Sequence, residues 1–218
     1  NPPRAAGTRS LAEQSRKAHP EAEIIPYGWH LISHGPRDGL RELGSRSLPG
    51  ESDAFGLLQD TPEVKAAWDI TLTCARNLGA TRMILRTPPR LSPGTRDRAR
   101  LEAWLENQLK PSGMGLIWEP EGLWEPKQIA AVCKKHGIEA MASAFYVTGR
   151  LRDESLYAHW LRVDGGGALH RMSPAHAESL LFTLDERDDR DDKTIVFGGP
   201  RGHGNLRQYQ RSIDAEGF

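Results

Sequence analysis

Short runs with strand-like patterning alternate along this chain with segments whose apolar residues recur at helical spacing. Six of the runs predict β-strands, because they are short, rich in apolar residues and bounded by turn-forming residues. The predicted strands are Ala22 to Tyr27, Thr81 to Leu85, Gly115 to Glu119, Ile138 to Ala142, Ala158 to Val163 and Thr194 to Phe197.

Capping residues mark the helices. Ser10, followed by Glu13 three residues later, predicts a capping box before the first run. Thr61-Pro62 places an N-cap and a first-turn proline at the start of one helix, and Gly79 follows its end. His136-Gly137 ends a second helix, and Ser173-Pro174 opens a third. Strands and helices that alternate with short connections predict parallel strands joined by crossover helices.

This order of elements fits two α/β architectures, an open doubly wound sheet and a TIM-type (β/α) barrel. A barrel needs eight strands and typically about 250 residues, so six predicted strands in 218 residues fall two short of closure. No linker or internal repeat divides the chain. We therefore predict one α/β domain over residues 1–218.

Composition excludes a disordered chain and a membrane-spanning one, since 38% of the residues are hydrophobic and 27% are charged. The 29 basic and 29 acidic residues cancel, which argues against a nucleic acid or a membrane surface as partner. Cys74 and Cys133, both in helical contexts, are predicted to be buried structural thiols. Two cysteines also fit a cytoplasmic location, where thiols stay reduced.

Several segments match, in the same order, the motifs of one known family. The segment G-W-H-L-I-S-H at residues 28–34 resembles A-W-Q-L-I-T-H, and L-R-T-P-P at 85–89 resembles F-Q-T-P-P. W-E-P followed by Trp124, and the segment from Ala158 to Gly165, also match. In these motifs the chain resembles the YecE-like family, a domain of unknown function. The resemblance implies a (β/α) barrel related in shape to sugar isomerases and to nucleases that act on damaged DNA. It also implies that two strands precede Asn1, so the chain would be an incomplete TIM-type barrel of about six parallel strands.

At several strand ends the sequence departs from the motifs of this family. Arg86 replaces a Gln, Glu121 stands where the family has an Arg, and Asp164 replaces a His. Gly198-Gly199 replaces a pair of Asn. Barrel enzymes place their chemistry at the carboxyl ends of strands, so these changes leave open whether the chain has a new specificity or has lost an activity.

Carboxylates at the predicted strand ends are the candidate catalytic residues. Glu119 and Asp164 are the candidate general acid and base, because two inward-facing carboxylates can push their pKa values apart. With His34 they would also suit a divalent metal, although no H-x-x-x-H or H-E-x-x-H pair supports one, and we predict no cofactor. The competing interpretation is structural, with Glu119 paired to Arg162.

Two glycine-rich stretches, 164–167 and 198–205, follow the last two predicted strands. If two strands precede the chain, these are the loops that commonly hold phosphate in barrels, with Asn205 capping the next helix. We therefore predict a phosphorylated or sugar-like small molecule at the mouth of the barrel. Its predicted contacts are Trp29, His34, Arg86, Arg162, Gly165, Gly166, Gly199, Arg201, Gly202 and His203.

Two other functions remain open from the sequence, as does the question of whether the protein is an enzyme. The edges of an unclosed barrel leave backbone groups unpaired, which favours a non-catalytic interaction subunit covered by a second copy or by another chain. The implied kinship in shape instead favours a metal-assisted phosphodiester hydrolase or an enzyme like the sugar isomerases.

Overall fold

The computed structural model describes residues 5–38, 52–143, 159–163, 171–185, 193–198 and 201–216. Within these ranges there are five strands and helices that connect most of them, and the described strand pairings are all parallel, which confirms an α/β fold. The chain divides into two compact units, Asn1–Ile138 and Glu139–Phe218. The single domain over residues 1–218 stays a prediction.

The first unit contains one pair of strands among its described residues. Its elements are α1 (Ala5–Ala18), 3-10 turns at His30–Ile32 and Ser52–Ala54, α2 (Pro62–Leu78), β1 (Arg82–Thr87), α3 (Thr95–Trp104), β2 (Gly115–Pro120) and α4 (Pro126–His136). Helix α3 continues without a break into a π-helical segment, Leu105–Leu109, and a last α-helical turn, Lys110–Ser112.

The helix ends predicted at Thr61, Gly79 and Gly137 are confirmed. The capping box predicted at Ser10 and Glu13 is wrong, because α1 begins at Ala5 and both residues lie inside it. The Thr61 hydroxyl accepts a hydrogen bond from the backbone N–H of Val64 at 3.3 Å, so Thr61 caps α2. Gly79 and Gly137 follow α2 and α4 with φ angles of 71° and 64°. Glycine adopts this left-handed conformation without a steric penalty, which is why both helices end where they do.

The first predicted strand, Ala22 to Tyr27, is wrong as a strand. Only Tyr27 forms a bridge, a parallel one with Ile84 of β1, while Ile84 also donates its N–H to the carbonyl oxygen of Pro26 at 2.9 Å. Pro26 has no N–H with which to extend the ladder, so this segment runs along β1 without pairing fully. The described residues therefore contain five strands and not the six expected.

Pairs of tryptophans join the helices and strands of the first unit. Trp68 of α2 meets Trp104 of α3 edge to face, and Trp118 of β2 meets Trp124 in the same way, each pair at 4.9 Å between ring centroids. The Trp118 indole N–H also donates to the Thr87 hydroxyl at 3.0 Å. This contact fixes the end of β2 against the end of β1.

The second unit has a parallel sheet in the order β3, β4, β5 among its described residues. Its elements are β3 (Glu139–Ser143), β4 (Trp160–Val163), α5 (Pro174–Asp185), β5 (Thr194–Phe197) and α6 (Gly202–Glu216). Helices α5 and α6 bury one apolar cluster against β4, made of Leu161, Val163, Met172, Ala177, Leu180, Leu181 and Tyr209. No helix in the described ranges of the chain combines the length and the apolarity needed to cross a membrane.

Candidate functional site

The carboxyl ends of β1 and β2 carry the first polar residues of the candidate site. Arg86 and Glu119 are register partners on the two strands. Partners on adjacent parallel strands project from the same face of a sheet, so these two side chains emerge side by side. Glu119 is 8% exposed, and the Arg86 side chain is 33% exposed. The site therefore begins with a buried carboxylate next to a partly buried guanidinium.

The segment before α2 brings a histidine to the same strand end. The N–H of Gly28 donates to the Ile84 carbonyl oxygen at 2.7 Å, and the 3-10 turn at His30–Ile32 follows directly. This turn places the Ser33 hydroxyl where it donates to the carbonyl oxygen of Arg86 at 2.6 Å. His34, which is 5% exposed, is thereby held beside the end of β1.

The Ser33 hydroxyl fixes the tautomer of His34. A carbonyl oxygen can only accept, so the single hydroxyl hydrogen of Ser33 lies on its bond to Arg86. The Ser33 oxygen also lies 2.9 Å from Nδ1 of His34, and in that contact it must act as the acceptor. Nδ1 therefore carries the proton, and Nε2 presents a lone pair when the imidazole is neutral.

Burial keeps both histidines of this segment neutral. Loss of hydration is the main cause that lowers the pKa of His34 to about 4, with the charge of Arg86 adding to it and that of Asp38 opposing it. Burial, followed by the proximity of His34, lowers the pKa of His30 to about 4 as well. At neutral pH the site therefore offers an uncharged imidazole beside a guanidinium.

Three consecutive left-handed residues hold this segment in place. Gly56, Leu57 and Leu58 have φ angles of 81°, 52° and 54°, and their N–H groups donate to carbonyl oxygens of residues 31–33 at 2.8 to 3.0 Å. Leucine seldom adopts this conformation, so the hydrogen bonds hold a strained backbone around the site. A Cβ on Gly56 would lie 2.3 Å from the backbone of His34, and only glycine fits there.

The loop after β2 returns to the end of β1. Nη2 of Arg86 donates to Oε1 of Glu121, and the Glu121 N–H donates to the Thr87 carbonyl oxygen at 3.1 Å. Gly122 has a φ of 87°, and a Cβ there would lie 2.8 Å from Cα of Pro89. The two loops therefore pack backbone against backbone, which sets the position of Glu121.

Asp38 fixes the chain that follows His34. Its Oδ2 accepts the N–H of Gly35 at 2.8 Å and lies 3.6 Å from Nη1 of Arg90. The Asp38 side chain is 5% exposed, so this carboxylate is buried beside the segment that it holds.

Trp29, a predicted ligand contact, lies at the start of the same turn. Its backbone N–H donates to the Thr71 hydroxyl at 3.3 Å, which ties the turn to α2. Its indole Nε1 is buried and has no hydrogen-bond partner among the residues that the structure describes. The contact of Trp29 with a ligand stays a prediction.

The second unit holds the other described members of the predicted ligand site, which are Arg162, Arg201, Gly202 and His203. Arg162 lies half-buried in β4, and Arg201 and His203 are exposed at the start of α6. A Cβ on Gly202 would lie 2.5 Å from the carbonyl oxygen of Phe197. Close packing of α6 on the end of β5 is thus sufficient to require this glycine.

The capping role predicted for Asn205 is wrong. Its N–H donates to the Arg201 carbonyl oxygen at 2.9 Å, so the helix has already begun before it. Its buried side chain accepts the N–H of Met172 at 2.8 Å instead. The prediction failed because this amide bonds to a residue distant in the sequence, whereas a capping pattern involves only residues within about one helical turn.

Several predicted residues lie outside the described part of the chain. These are Asp164, Gly165, Gly166 and Gly199. Within the described ranges, no three His, Cys, Asp or Glu side chains are grouped so that they would hold a metal ion. The metal site predicted as an alternative included Asp164, and it stays a prediction.

Both cysteines are buried thiols outside any disulfide, as expected from their positions on helices. Burial raises the pKa of the Cys133 thiol to about 12 and raises that of Cys74 as well. A thiol kept protonated in this way is a poor nucleophile. Neither cysteine contributes to the candidate site.

Three residues of the site were not predicted from the sequence, namely Ser33, Gly56 and Glu121. A signal for Glu121 was present, because it follows Glu119 by two residues and alternate residues of an extended chain share a face. No local pattern distinguishes Ser33 or Gly56. Ser33 acts through the carbonyl oxygen of Arg86, and Gly56 acts through the backbone of His34. Each of these partners is distant in the sequence.

Comparison with known proteins bears on the fold. No protein-family model matches the chain, and no curated protein matches it. Among solved structures it is similar to the TTHB071 protein from Thermus thermophilus, in a structure obtained after soaking with ZnCl2. The identity is 17% and the TM-score 0.53, over 96% of this chain and 84% of that one. At this identity the likeness shows the fold alone, and the resemblance to the YecE-like family stays a prediction.

Proposed function

We propose that this protein binds a phosphorylated or sugar-like small molecule at the carboxyl ends of β1 and β2. The proposal includes an incomplete TIM-type (β/α) barrel as the scaffold. Parallel strands with crossover helices support it, because ligands bind at the carboxyl ends of such strands.

The observation that carries the proposal is the fixed state of His34. Its pKa of about 4 leaves the imidazole neutral, and the Ser33 hydroxyl directs the proton to Nδ1. Nε2 is therefore unprotonated and can accept a hydrogen bond from a ligand hydroxyl. A buried histidine with its tautomer imposed is typical of a site organised in advance of binding.

The neighbouring charges fit the same class of ligand. A buried carboxylate such as Glu119 accepts hydrogen bonds from sugar hydroxyls, and the guanidinium of Arg86 donates to phosphate oxygens. Neutral His34 also has the protonation state of a general base, and the catalytic roles predicted for Glu119 and Asp164 belong to this proposal.

Calorimetric titration with hexose phosphates and the matching free hexoses tests the proposal. We expect at least one member of the panel to bind, and His34→Gln to weaken it about tenfold through loss of one hydrogen bond. His19→Gln, at an exposed position, is the matched control and should bind like the wild type. Arg201→Ala tests whether the predicted phosphate contacts of the second unit contribute.

Two results would contradict the proposal. One is a wild-type protein that binds no member of the panel, and the other is a folded His34→Gln variant with unchanged affinity. Because His34 is buried, the binding measurement is paired with an NMR titration of the wild type. The His34 ring resonances should shift with ligand, and that readout does not depend on the stability of a variant.

A further inference from the structure

On one edge of the Arg86 guanidinium, only one of the two donors has a partner among the described residues. Nε and Nη2 form the edge that binds a carboxylate or a phosphate through two parallel hydrogen bonds. Nη2 donates to one oxygen of Glu121. Nε is buried and has no hydrogen-bond partner in the described part of the chain. An arginine donor enclosed by protein without a partner is unusual, since buried donors in proteins are nearly always satisfied.

Arg82, on the same strand, shows what a complete pair looks like. Its Nε and Nη2 donate to the two carboxylate oxygens of Glu23 at 2.9 and 2.7 Å. Arg82 and Arg86 are four residues apart in β1, and their side chains share a face. The strand thus carries one guanidinium edge, or fork, with both donors paired, and one fork with only one donor paired to a described residue. Glu121 is thus an incomplete partner for Arg86.

We propose that the Nε and Nη2 edge of Arg86 is the anion subsite for the phosphate group of the ligand, and that the Glu121 carboxylate occupies it until phosphate displaces it. This inference rests on the proposed function and narrows its ligand class to phosphate esters. A phosphate presents two oxygens to the fork where Glu121 presents one, and it carries more negative charge than the carboxylate that it replaces.

Displacement requires only a side-chain rotation. The backbone of Glu121 is held by its hydrogen bond to Thr87 and by the close contact of Gly122 with Pro89. The Glu121 side chain is 29% exposed, so its carboxylate can move into water without crossing the core. The internal carboxylate also lowers the apparent affinity for phosphate, because ligand and side chain compete for one guanidinium.

Titration of the full chain with inorganic phosphate at pH 7.5 tests the inference. Glu121→Gln removes the competing charge with almost no change of shape, and we expect phosphate to bind about three- to tenfold more tightly. Arg86→Lys keeps the charge but loses the fork, and should weaken binding about tenfold. Glu23→Gln, which removes the partner of Arg82, is the matched control and should leave phosphate affinity unchanged.

A gain in affinity cannot arise from misfolding, which makes Glu121→Gln the deciding variant. Equal phosphate affinity in Glu121→Gln and the wild type overturns the inference, and so does acetate binding as tightly as phosphate. If hexose phosphates bind the wild type but neither variant changes their affinity, the inference fails and the proposed function stands. If neither the wild type nor Glu121→Gln binds phosphate, hexose phosphates or free hexoses, both fail. If only the free hexoses bind, the inference fails and the proposed function stands.

Discussion

The two ends of the β1–β2 pair differ in how completely their polar groups are satisfied. At the amino end, both carboxylate oxygens of Glu23 accept from Arg82, and Thr81 adds a third, longer hydrogen bond of 3.4 Å to the same carboxylate. At the carboxyl end, Arg86 donates one hydrogen bond to Glu121, and its buried Nε has no partner among the described residues. The strand pair is regular throughout, so this difference lies in the side chains.

The amino end of the strand pair is held by fully paired side chains, whereas the carboxyl end has a donor without a partner among the described residues. In the pair of Glu23 and Arg82, both carboxylate oxygens and the two donors on one guanidinium edge are hydrogen-bonded to each other, so they are not available to a ligand. The carboxyl end combines a neutral imidazole, a buried Glu119 and strained residues at 56–58. Backbone strain and unsatisfied donors persist in proteins at sites that bind or react, because the surrounding structure holds them.

The largest effect is expected where the strained turn touches His34. Gly56→Ala would put a Cβ 2.3 Å from the His34 backbone at a φ of 81°. Neither the backbone nor the turn can yield without losing its hydrogen bonds, so we expect the free energy of unfolding to fall by about 3 kcal/mol or more. Urea unfolding followed by circular dichroism measures it.

Gly113→Ala is the matched control for this prediction. Gly113 has a similar φ of 69° but nothing within 4 Å of its added Cβ. We expect a loss of about 1 kcal/mol, the cost of the left-handed conformation alone. Equal losses in the two variants would show that the contact with His34 adds nothing, and strain at residues 56–58 would then not set the carboxyl end apart from the amino end.

The helices and strands could largely be predicted from sequence, because their signals are local. The cap at Thr61 and the glycine at 79 are set by residues within one turn of the chain. The strand predicted before Tyr27 was wrong, since the apolar pattern matched a strand while Pro26 lacks a donor for the ladder. Pattern alone does not show which backbone groups find partners.

The site was only partly predictable, because its organisation depends on contacts between distant residues. Arg86 and Glu121 were both noted as departures from the YecE-like motifs, and the structure brings them into an ion pair. Two changes that sequence reasoning treated separately therefore act on one contact. The tautomer of His34 depends on a carbonyl oxygen that follows it by more than fifty residues, and no spacing rule encodes that.

The next effect in size concerns the pH dependence of stability. The pKa of His34 is about 4 in the folded protein and about 6.5 in an unfolded chain, so only the unfolded chain binds this proton between those values. The contribution of neutral His34 to the free energy of unfolding is fully present above about pH 6.5 and is lost as the pH is lowered towards 4. For His34 we expect a loss of about 1 to 2 kcal/mol between pH 8 and pH 5.

Urea unfolding at pH 8, 7, 6 and 5 measures this loss in the wild type and in His34→Gln. The variant retains His30, whose pKa is lowered in the same way, so it should keep part of the pH dependence and lose the share of His34. Parallel curves for the two proteins would mean that His34 is not held neutral by the fold, and the carboxyl end would then resemble an ordinary surface.

The smallest effect is expected at the amino end. The side chains of Arg82 and Glu23 are 33% and 40% exposed, so water and salt screen their attraction. Their hydrogen bonds lower the pKa of Glu23, but a pair this exposed contributes at most about 1 kcal/mol. Glu23→Gln should therefore reduce stability by about 0.5 kcal/mol at low salt, and the difference should vanish in 1 M NaCl. A loss above about 2 kcal/mol, comparable with the effect at Gly56, would mean that the satisfied end of the strand pair matters to stability as much as the strained end does.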